Sequence, residues 1–295
     1  MANLKDWVEG ARPRTLPAAI SPVVVGVGAA WQIGTPNWAL AGLALLVGVA
    51  VQVGANYAND YSDGVRGTDQ ERDGPRRLVG SGAAKAGTVK AAAWLSFAVA
   101  GLAGIYLCYL TGLWWLAAVG GACVVAAWLY TGGPRPYGYA GLGDVMVFIF
   151  FGLVATLGTL YVQFSMLTWR GIVAAVAMGL LACAILMANN LRDLDLDAAA
   201  GKRTLAVKLG DERARLVYQL EMWLAMALVV VMAVGRWHVL ATLVMAVPTA
   251  RLAGAVYNDA TGEELVTVLK GTGVVQLAYA FILGLALANL GLWPA

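Results

Sequence analysis

Nine apolar stretches of 18 to 21 residues run through the chain, at residues 16–33, 38–58, 92–110, 112–130, 143–163, 170–190, 215–234, 237–257 and 272–292. A bilayer's hydrocarbon core is about 30 Å thick, and a helix rises about 1.5 Å per residue, so about 20 apolar residues are needed to cross it. Lipid offers no water to backbone N–H and C=O groups, so such a stretch has to be helical. The sequence therefore predicts an all-α, polytopic membrane protein, with nine transmembrane helices in a single bundle over residues 1–295. Composition agrees: 60% of residues are hydrophobic and 13% charged, whereas about a quarter are charged in an average soluble domain. The longest segments between spans, 59–91 and 191–214, are too short for an independent core, which excludes a soluble catalytic domain.

Charge placement tests the span count separately. If the N-terminus and every loop after an even-numbered span share one side, that side holds 18 of the 20 basic residues, leaving Arg170 and Arg236 for the other. Positive charge collects on the cytoplasmic side, so the N-terminus and both acidic loops are expected in the cytoplasm and the C-terminus outside. The acids are expected on that cytoplasmic side too, although acids contribute little to topology. Residues Met1 to Arg14 carry charge but no separate apolar core ending in a cleavage site, so the first span is expected to be retained. The net charge of +3 marks no nucleic-acid partner, because the basic side is also the acid-bearing side and shows no continuous basic stripe. Cys108, Cys123 and Cys183 lie inside spans without CxxC spacing, and His238 is the single histidine. Structural disulfides, zinc sites and histidine triads are not expected.

Two polar clusters break the apolar pattern. Asn56-Tyr57-Ala58-Asn59-Asp60-Tyr61-Ser62-Asp63, with Asp69 close behind, ends the second span, and Asn189-Asn190-Leu191-Arg192-Asp193-Leu194-Asp195-Leu196-Asp197 ends the sixth. On a helix Asn56, Asp60 and Asp63 stand at i, i+4 and i+7, and Asn59 lies four before Asp63, so one face presents two carboxylates and two amides. Asn190, Asp193 and Asp197 share a face of the second cluster if its helix continues, whereas Asp195 points about 200° away from Asp193. Carboxylates crowded at such spacing repel each other without a cation. Oxygen donors of this kind suit Mg²⁺, which binds through one or two carboxylates plus substrate phosphate oxygens.

Two such sites can hold two Mg²⁺ ions against one diphosphate as a carbon–oxygen bond breaks, and a membrane-embedded pocket would keep water from the resulting carbocation. Basic residues follow each cluster: Arg66, Arg72, Arg76 and Arg77 after the first, Lys202, Arg203 and Lys208 after the second. Arg135 sits in the Gly/Pro-rich loop between them, Tyr130-Thr131-Gly132-Gly133-Pro134-Arg135-Pro136-Tyr137. Guanidinium groups grip phosphate oxygens in fixed geometry, and Arg77, Arg135 and Lys202 are the leading candidates. The repeated position of the clusters also suggests two related four-helix halves facing one pocket, with a ninth helix added.

These residues resemble a known family. Asn59-Asp60-Tyr61-Ser62-Asp63, with Gly67, Asp69, Arg77 and Ser81-Gly82, is similar to the first signature of the UbiA superfamily of intramembrane prenyltransferases, and Asn190, Asp193, Asp197 and Gly201-Lys202-Arg203-Thr204 to the second. Arg12-Pro13-Arg14-Thr15-Leu16-Pro17, Gly141-Leu142-Gly143-Asp144 and Gly158-Thr159-Leu160-Tyr161-Val162-Gln163 resemble the branch acting on 1,4-dihydroxy-2-naphthoate.

The resemblance implies a nine-helix bundle around a central cavity in a bacterial plasma membrane. It also implies Mg²⁺ ligands at Asn59, Asp60, Asp63, Asn190, Asp193 and Asp197, and transfer of a polyprenyl group from polyprenyl diphosphate to the naphthoate with loss of CO₂. Asn56, Arg66, Arg77, Arg135, Lys202 and Arg203 would contact substrate, and Asp63, Asp193, Asp69 or Tyr139 would assist the chemistry. Gly67 stands where many relatives carry a third aspartate, which makes Asp69 the candidate replacement, and Asp144 stands where related chains often carry glutamate. Other aromatic acceptors, such as 4-hydroxybenzoate or homogentisate, stay open. A secondary transporter would place its acids near the bilayer midplane, not at helix ends. A CDP-alcohol phosphotransferase fits Asp60-Tyr61-Ser62-Asp63-Gly64 but not Val65-Arg66-Gly67-Thr68.

Overall fold

The computed structural model of the chain describes residues 2–67 and 77–289, which are helical almost throughout and contain no strand. Seven helices among them are long and apolar enough to cross a membrane. Helix α1 (Leu4–Gly10) opens on a capping box between Asn3 and Asp6, each side chain satisfying the other's backbone N–H. Helix α2 (Pro17–Ala30) starts on a proline, whose missing N–H is no loss in a first turn. Helices α3 (Trp38–Arg66) and α4 (Ala86–Thr111) form an antiparallel pair, ended by Gly67 and Gly112 with φ of +75° and +72°; a side chain is strained there, and glycine is not. Helix α5 (Trp115–Leu129) leads into the Gly/Pro-rich loop.

Helix α6 (Gly143–Phe164) contains a π-helical stretch at Phe148–Val154. Helix α7 (Trp169–Arg192), capped by Thr168, is followed by two short helices, α8 (Leu194–Ala199) and α9 (Leu205–Leu209). Helices α10 (Asp211–Met232), α11 (Trp237–Tyr257) and α12 (Gly262–Ala288) complete the bundle.

A helix lies over each of the nine predicted stretches, but α2 and α5 have only 14 and 15 residues. At about 1.5 Å per residue they reach about 21 and 22 Å, short of the hydrocarbon thickness. The apolar runs there include backbone used for connections, Trp31–Ile33 after α2 and Gly112–Trp114 before α5. At the other extreme α12 starts ten residues ahead of its apolar run, because Thr261 and Glu264 form a capping box that initiates it at Gly262.

Helix α7 is buried along most of its length and forms the centre of the bundle, with α2, α6, α10 and α12 around it. Fully buried side chains from three of these, Met178, Leu181, Met187, Tyr218, Met222, Tyr279 and Leu283, make the main core. Glycine sets two of the closest approaches. A Cβ on Gly28 of α2 would sit 2.4 Å from the Gly284 carbonyl oxygen of α12, and one on Gly152 of α6 would sit 2.4 Å from the Gly179 Cα of α7. In lipid such small-residue contacts let helix backbones pack directly. A second cluster, Tyr57, Leu78, Val89, Ala93 and Phe97, holds α3 to α4.

A large cavity lies between the α3–α4–α5 wall and the α2–α6–α7 wall, and no lining residue comes after Thr204. The cavity is lined from both predicted halves, by α2 to α5 and by α6 and α7, while α10 and α12 pack behind α7 and α2 and build the core. Glu221 lies well inside α10 and is only 8% exposed, so this acid is buried within the bundle.

Candidate active site

Helix α3 stays helical through the whole first cluster, so its angular order decides what faces the cavity. Asn56, Asn59 and Asp63 line it. Asp63 is 3% exposed, and both its oxygens are engaged: Oδ1 accepts from the Tyr139 hydroxyl at 2.5 Å, and Oδ2 faces the Lys202 Nζ at 3.1 Å. Asn59 Oδ1 accepts from the Thr131 hydroxyl at 2.7 Å. The Asn56 amide donates to the Ala11 carbonyl at 2.8 Å and the Thr15 hydroxyl at 3.1 Å, pinning the segment ahead of α2 onto α3.

Asp60 lies about 60° around the helix from Asp63 and does not line the cavity. Its carboxylate accepts from the Leu78 and Val79 backbone N–H groups at 2.8 and 2.9 Å. Where the sequence suggested a metal ligand, the structure shows an anchor for the 77–80 turn. That anchor carries Arg77 to the cavity wall.

The second cluster is not one helix. Helix α7 stops at Arg192, and Asp193, with φ −96° and ψ 10°, turns the chain into α8. A continuous face through Asn190, Asp193 and Asp197 therefore does not form. Asn189, Asn190 and Asp197 line the cavity. Asp193 is buried against Arg192, which donates to its two oxygens at 2.8 and 2.7 Å and to Asn189 Oδ1 at 3.0 Å. Asp195 is exposed.

The loop between the clusters closes the site. The Arg203 backbone N–H donates to the Tyr139 carbonyl at 2.9 Å, and the Lys202 N–H to the Asp197 carbonyl at 2.8 Å. Tyr139 then lies between two cations, with the Lys202 Nζ 4.6 Å and the Arg66 guanidinium 5.3 Å from its ring centre, an arrangement its negative ring face favours. Arg66 also donates to the Thr131 and Gly133 carbonyls. It therefore shapes the loop from outside the cavity. Arg135 and Arg203 are exposed and are not among the lining residues, and Asp69 lies outside the described residues.

The cavity holds about 880 Å³. One end is polar, with Asn59, Asp63, Arg77, Tyr139, Asn190, Asp197 and Lys202; the rest is apolar, walled by side chains such as Val47, Phe97, Ile105, Val124, Phe150 and Val162. It can take a ligand with an anionic head and a long hydrocarbon body. Tyr130 lines it near the polar end, within electrostatic reach of Asp144, Tyr137, Asp197 and Asp63. No three His, Cys, Asp or Glu side chains converge among the described residues, so a divalent cation here has to be completed by amide and ligand oxygens. The oxygens of Asn59, Asp63, Asn189, Asn190 and Asp197 suit a hard cation of that kind. Asn189, Tyr130 and Thr131 were visible in the sequence only as neighbours of the named candidates, since nothing in the spacing separates a lining residue from the one beside it.

Comparison with known proteins places this geometry. The chain is 51% identical to a 1,4-dihydroxy-2-naphthoate octaprenyltransferase of Mycobacterium tuberculosis over 98% of both chains, and 45% identical to one of Mycobacterium leprae over 99% of both. A solved structure of a UbiA homolog from Archaeoglobus fulgidus bound to DMAPP and Mg²⁺ superimposes with a TM-score of 0.63 at 15% identity, covering 94% of this chain and 99% of that one. The UbiA prenyltransferase family matches residues 19–263, and the chain belongs to that family.

Proposed function

We propose that this protein transfers a polyprenyl group from polyprenyl diphosphate to 1,4-dihydroxy-2-naphthoate, releasing CO₂ and diphosphate and giving the hydroquinone form of demethylmenaquinone. The observation that carries the proposal is full-length 51% identity to an enzyme named for that acceptor, joined to a cavity whose one polar end meets a long apolar body. The diphosphate takes the polar end, and the prenyl chain takes the apolar body. Lys202 and Arg77 would bind phosphate oxygens, while Asn59, Asp63, Asn190 and Asp197, with Asn189, would hold two Mg²⁺ ions. Bound there, Mg²⁺ offsets the charge that grows on the leaving diphosphate. Tyr139 holds Asp63 in position, and the apolar walls keep water from the allylic cation. The electron-rich ring of the acceptor attacks that cation at the carbon bearing its carboxylate.

The chain is a multi-pass membrane protein. We further assign it nine spans as one transmembrane unit in a bacterial plasma membrane, with the N-terminus and the polar end of the cavity cytoplasmic and the C-terminus outside. The 18 to 2 split of basic residues supports this orientation.

The test is an assay of purified protein in lipid, with radiolabelled polyprenyl diphosphate and a panel of aromatic acceptors. Transfer to 1,4-dihydroxy-2-naphthoate is expected, with activity lost on chelation and restored by Mg²⁺. Prenylation of 4-hydroxybenzoate but not of dihydroxynaphthoate overturns the acceptor assignment.

A further inference from the structure

Helix α3 carries a further polar side chain into the cavity, one that the chemistry so far does not use. Gln52, Asn56, Asn59 and Asp63 all line it, at i, i+4, i+7 and i+11 on one side of the helix. Gln52 is the deepest, about 10 Å along the axis from Asn59 and about 16 Å from Asp63 at about 1.5 Å per residue, and it is 8% exposed. Beyond it α3 gives the cavity only Ala44, Val47, Gly48 and Val51. One turn further from Asp63, α2 and α3 close on each other, since a Cβ on Gly48 would stand 3.3 Å from the Ala19 carbonyl oxygen. Gln52 therefore stands at the seam between the polar end and the apolar body.

Hydrogen-bond accounting fixes which way its amide points. The Thr15 hydroxyl donates to the Arg12 carbonyl at 3.0 Å, so its single proton is spent and its oxygen can only accept. It accepts from Gln52 Nε2 at 2.9 Å and from Asn56 Nδ2 at 3.1 Å. Gln52 Nε2 also donates to Asn56 Oδ1 at 3.4 Å. Turning the Gln52 amide over would set its Oε1 against two oxygens that have no proton to offer. Nε2 is thus committed to Thr15 and Asn56, and Oε1 takes no hydrogen bond from the described residues. It is left as an open acceptor on the cavity that Gln52 lines.

An unmet acceptor in a crevice of mostly apolar side chains calls for a donor from the ligand. Polyprenyl diphosphate does not supply one: its diphosphate is an array of acceptors held at the far polar end, and its hydrocarbon has no polar atom. The aromatic acceptor does. In 1,4-dihydroxy-2-naphthoate the hydroxyl beside the carboxylate shares its proton with that carboxylate, so the far ring hydroxyl is the one free to donate. We propose that Gln52 Oε1 accepts a hydrogen bond from this far hydroxyl, which makes Gln52 a specificity-determining residue for the acceptor. Ala18, Ala19 and Ala55 line the cavity beside it, and their small side chains leave width for a planar ring. The proposal rests on the acceptor assigned above. It adds a choice that charged groups cannot make, between a dihydroxy acid and the same acid with one hydroxyl missing, because loss of the hydroxyl leaves the buried oxygen without a partner.

The experiment compares two ligands that differ by that hydroxyl, using full-length wild type, Gln52→Met and Thr15→Val in lipid vesicles. KM and kcat are measured for 1,4-dihydroxy-2-naphthoate, KM for polyprenyl diphosphate, and the inhibition constant for 1-hydroxy-2-naphthoate, which keeps the carboxylate and the hydroxyl beside it but lacks the far one. Wild type should hold the dihydroxy acid about tenfold more tightly than the monohydroxy acid, the scale of one net hydrogen bond. Gln52→Met should abolish that preference: the dihydroxynaphthoate KM rises about tenfold, while the monohydroxy constant, the KM for polyprenyl diphosphate and kcat stay within about twofold. Thr15→Val keeps the size of the side chain but removes the oxygen that holds the amide, so it should narrow the gap between the two ligands.

Equal weakening of both ligands in Gln52→Met means that Gln52 serves only to hold residues 11–15 in place, and it overturns the proposal. So does a wild type that shows no preference for the dihydroxy acid. If Gln52→Met does not fold, Thr15→Val decides, and an unchanged gap overturns the proposal. A wild type that prenylates a different hydroxylated aromatic acid instead overturns the acceptor assigned above; the same comparison, run on that acid and its form lacking the hydroxyl, then scores Gln52 separately.

Discussion

Asp63 is the residue on which the polar end of the cavity converges, because its carboxylate joins Tyr139 from the 137–140 turn to Lys202 from beyond α8. Asn replacement keeps its size and removes its charge, so Asp63→Asn and Asp197→Asn should each lower kcat/KM by about 100-fold or more and raise the Mg²⁺ concentration needed for half-maximal rate. Asp195→Asn should stay within about twofold, since Asp195 is exposed; equal losses in all three would show that facing the cavity is not what matters. Of the residues that helical spacing singled out, Asn59, Asp63, Asn190 and Asp197 line the cavity and Asp60 and Asp193 do not. Spacing could not reveal that Asp60 is used by two backbone amides 18 and 19 positions further along the chain, because that contact depends on where the 77–80 turn returns to α3. Asp60→Ala should therefore act through Arg77: the KM for polyprenyl diphosphate should rise about tenfold with the acceptor KM little changed. Thermal unfolding should register a loss of about 1–3 kcal/mol, the scale of hydrogen bonds to a charged group.

Among the elements, the helices that carry the polar clusters behave differently. Helix α3 runs through its cluster to Arg66, so Asn56, Asn59 and Asp63 face the cavity as the spacing implies, while Asp60 turns to the 77–80 backbone; α7 ends at Arg192, so the face assumed for Asn190, Asp193 and Asp197 is interrupted by the turn at Asp193. Hydropathy locates both helices but is blind to that stop, which no proline or glycine marks. It is equally blind to the π-helical stretch of α6, which brings Phe150, Phe151 and Val154 to the cavity. Gly152 in that stretch packs against the α7 backbone at Gly179, leaving no room for a side chain. Gly152→Val should cost about 1–3 kcal/mol by overpacking and lower the melting temperature in detergent. Gly254→Ala on α11, where a Cβ would meet nothing within 4 Å, should leave it unchanged or slightly raised. A silent Gly152→Val would mean that α6 and α7 are free to separate there.

At the scale of the whole molecule, charge and shape point the same way. Arg170 and Arg236, the two basic residues that the proposed orientation leaves outside, are both engaged locally, since Arg170 donates to the Met232 and Val234 carbonyls at 3.0 and 2.5 Å, and Arg236 to the Leu287 carbonyl at 2.9 Å. They satisfy carbonyls at the ends of α10 and α12 that helix geometry leaves without partners, so they weigh little against the cytoplasmic excess. In the orientation proposed above, the polar end of the cavity sits with the basic excess, where a water-soluble acceptor and Mg²⁺ would arrive. This orientation can be checked in a background with Cys108, Cys123 and Cys183 replaced. Met166→Cys, in the exposed link between α6 and α7, should react with a membrane-impermeant maleimide in intact cells, and Glu212→Cys, exposed in the first turn of α10, only after permeabilisation. The opposite pattern would place the diphosphate site on the outer face, away from any cytoplasmic supply of prenyl donor, and the proposed activity would lose its substrate.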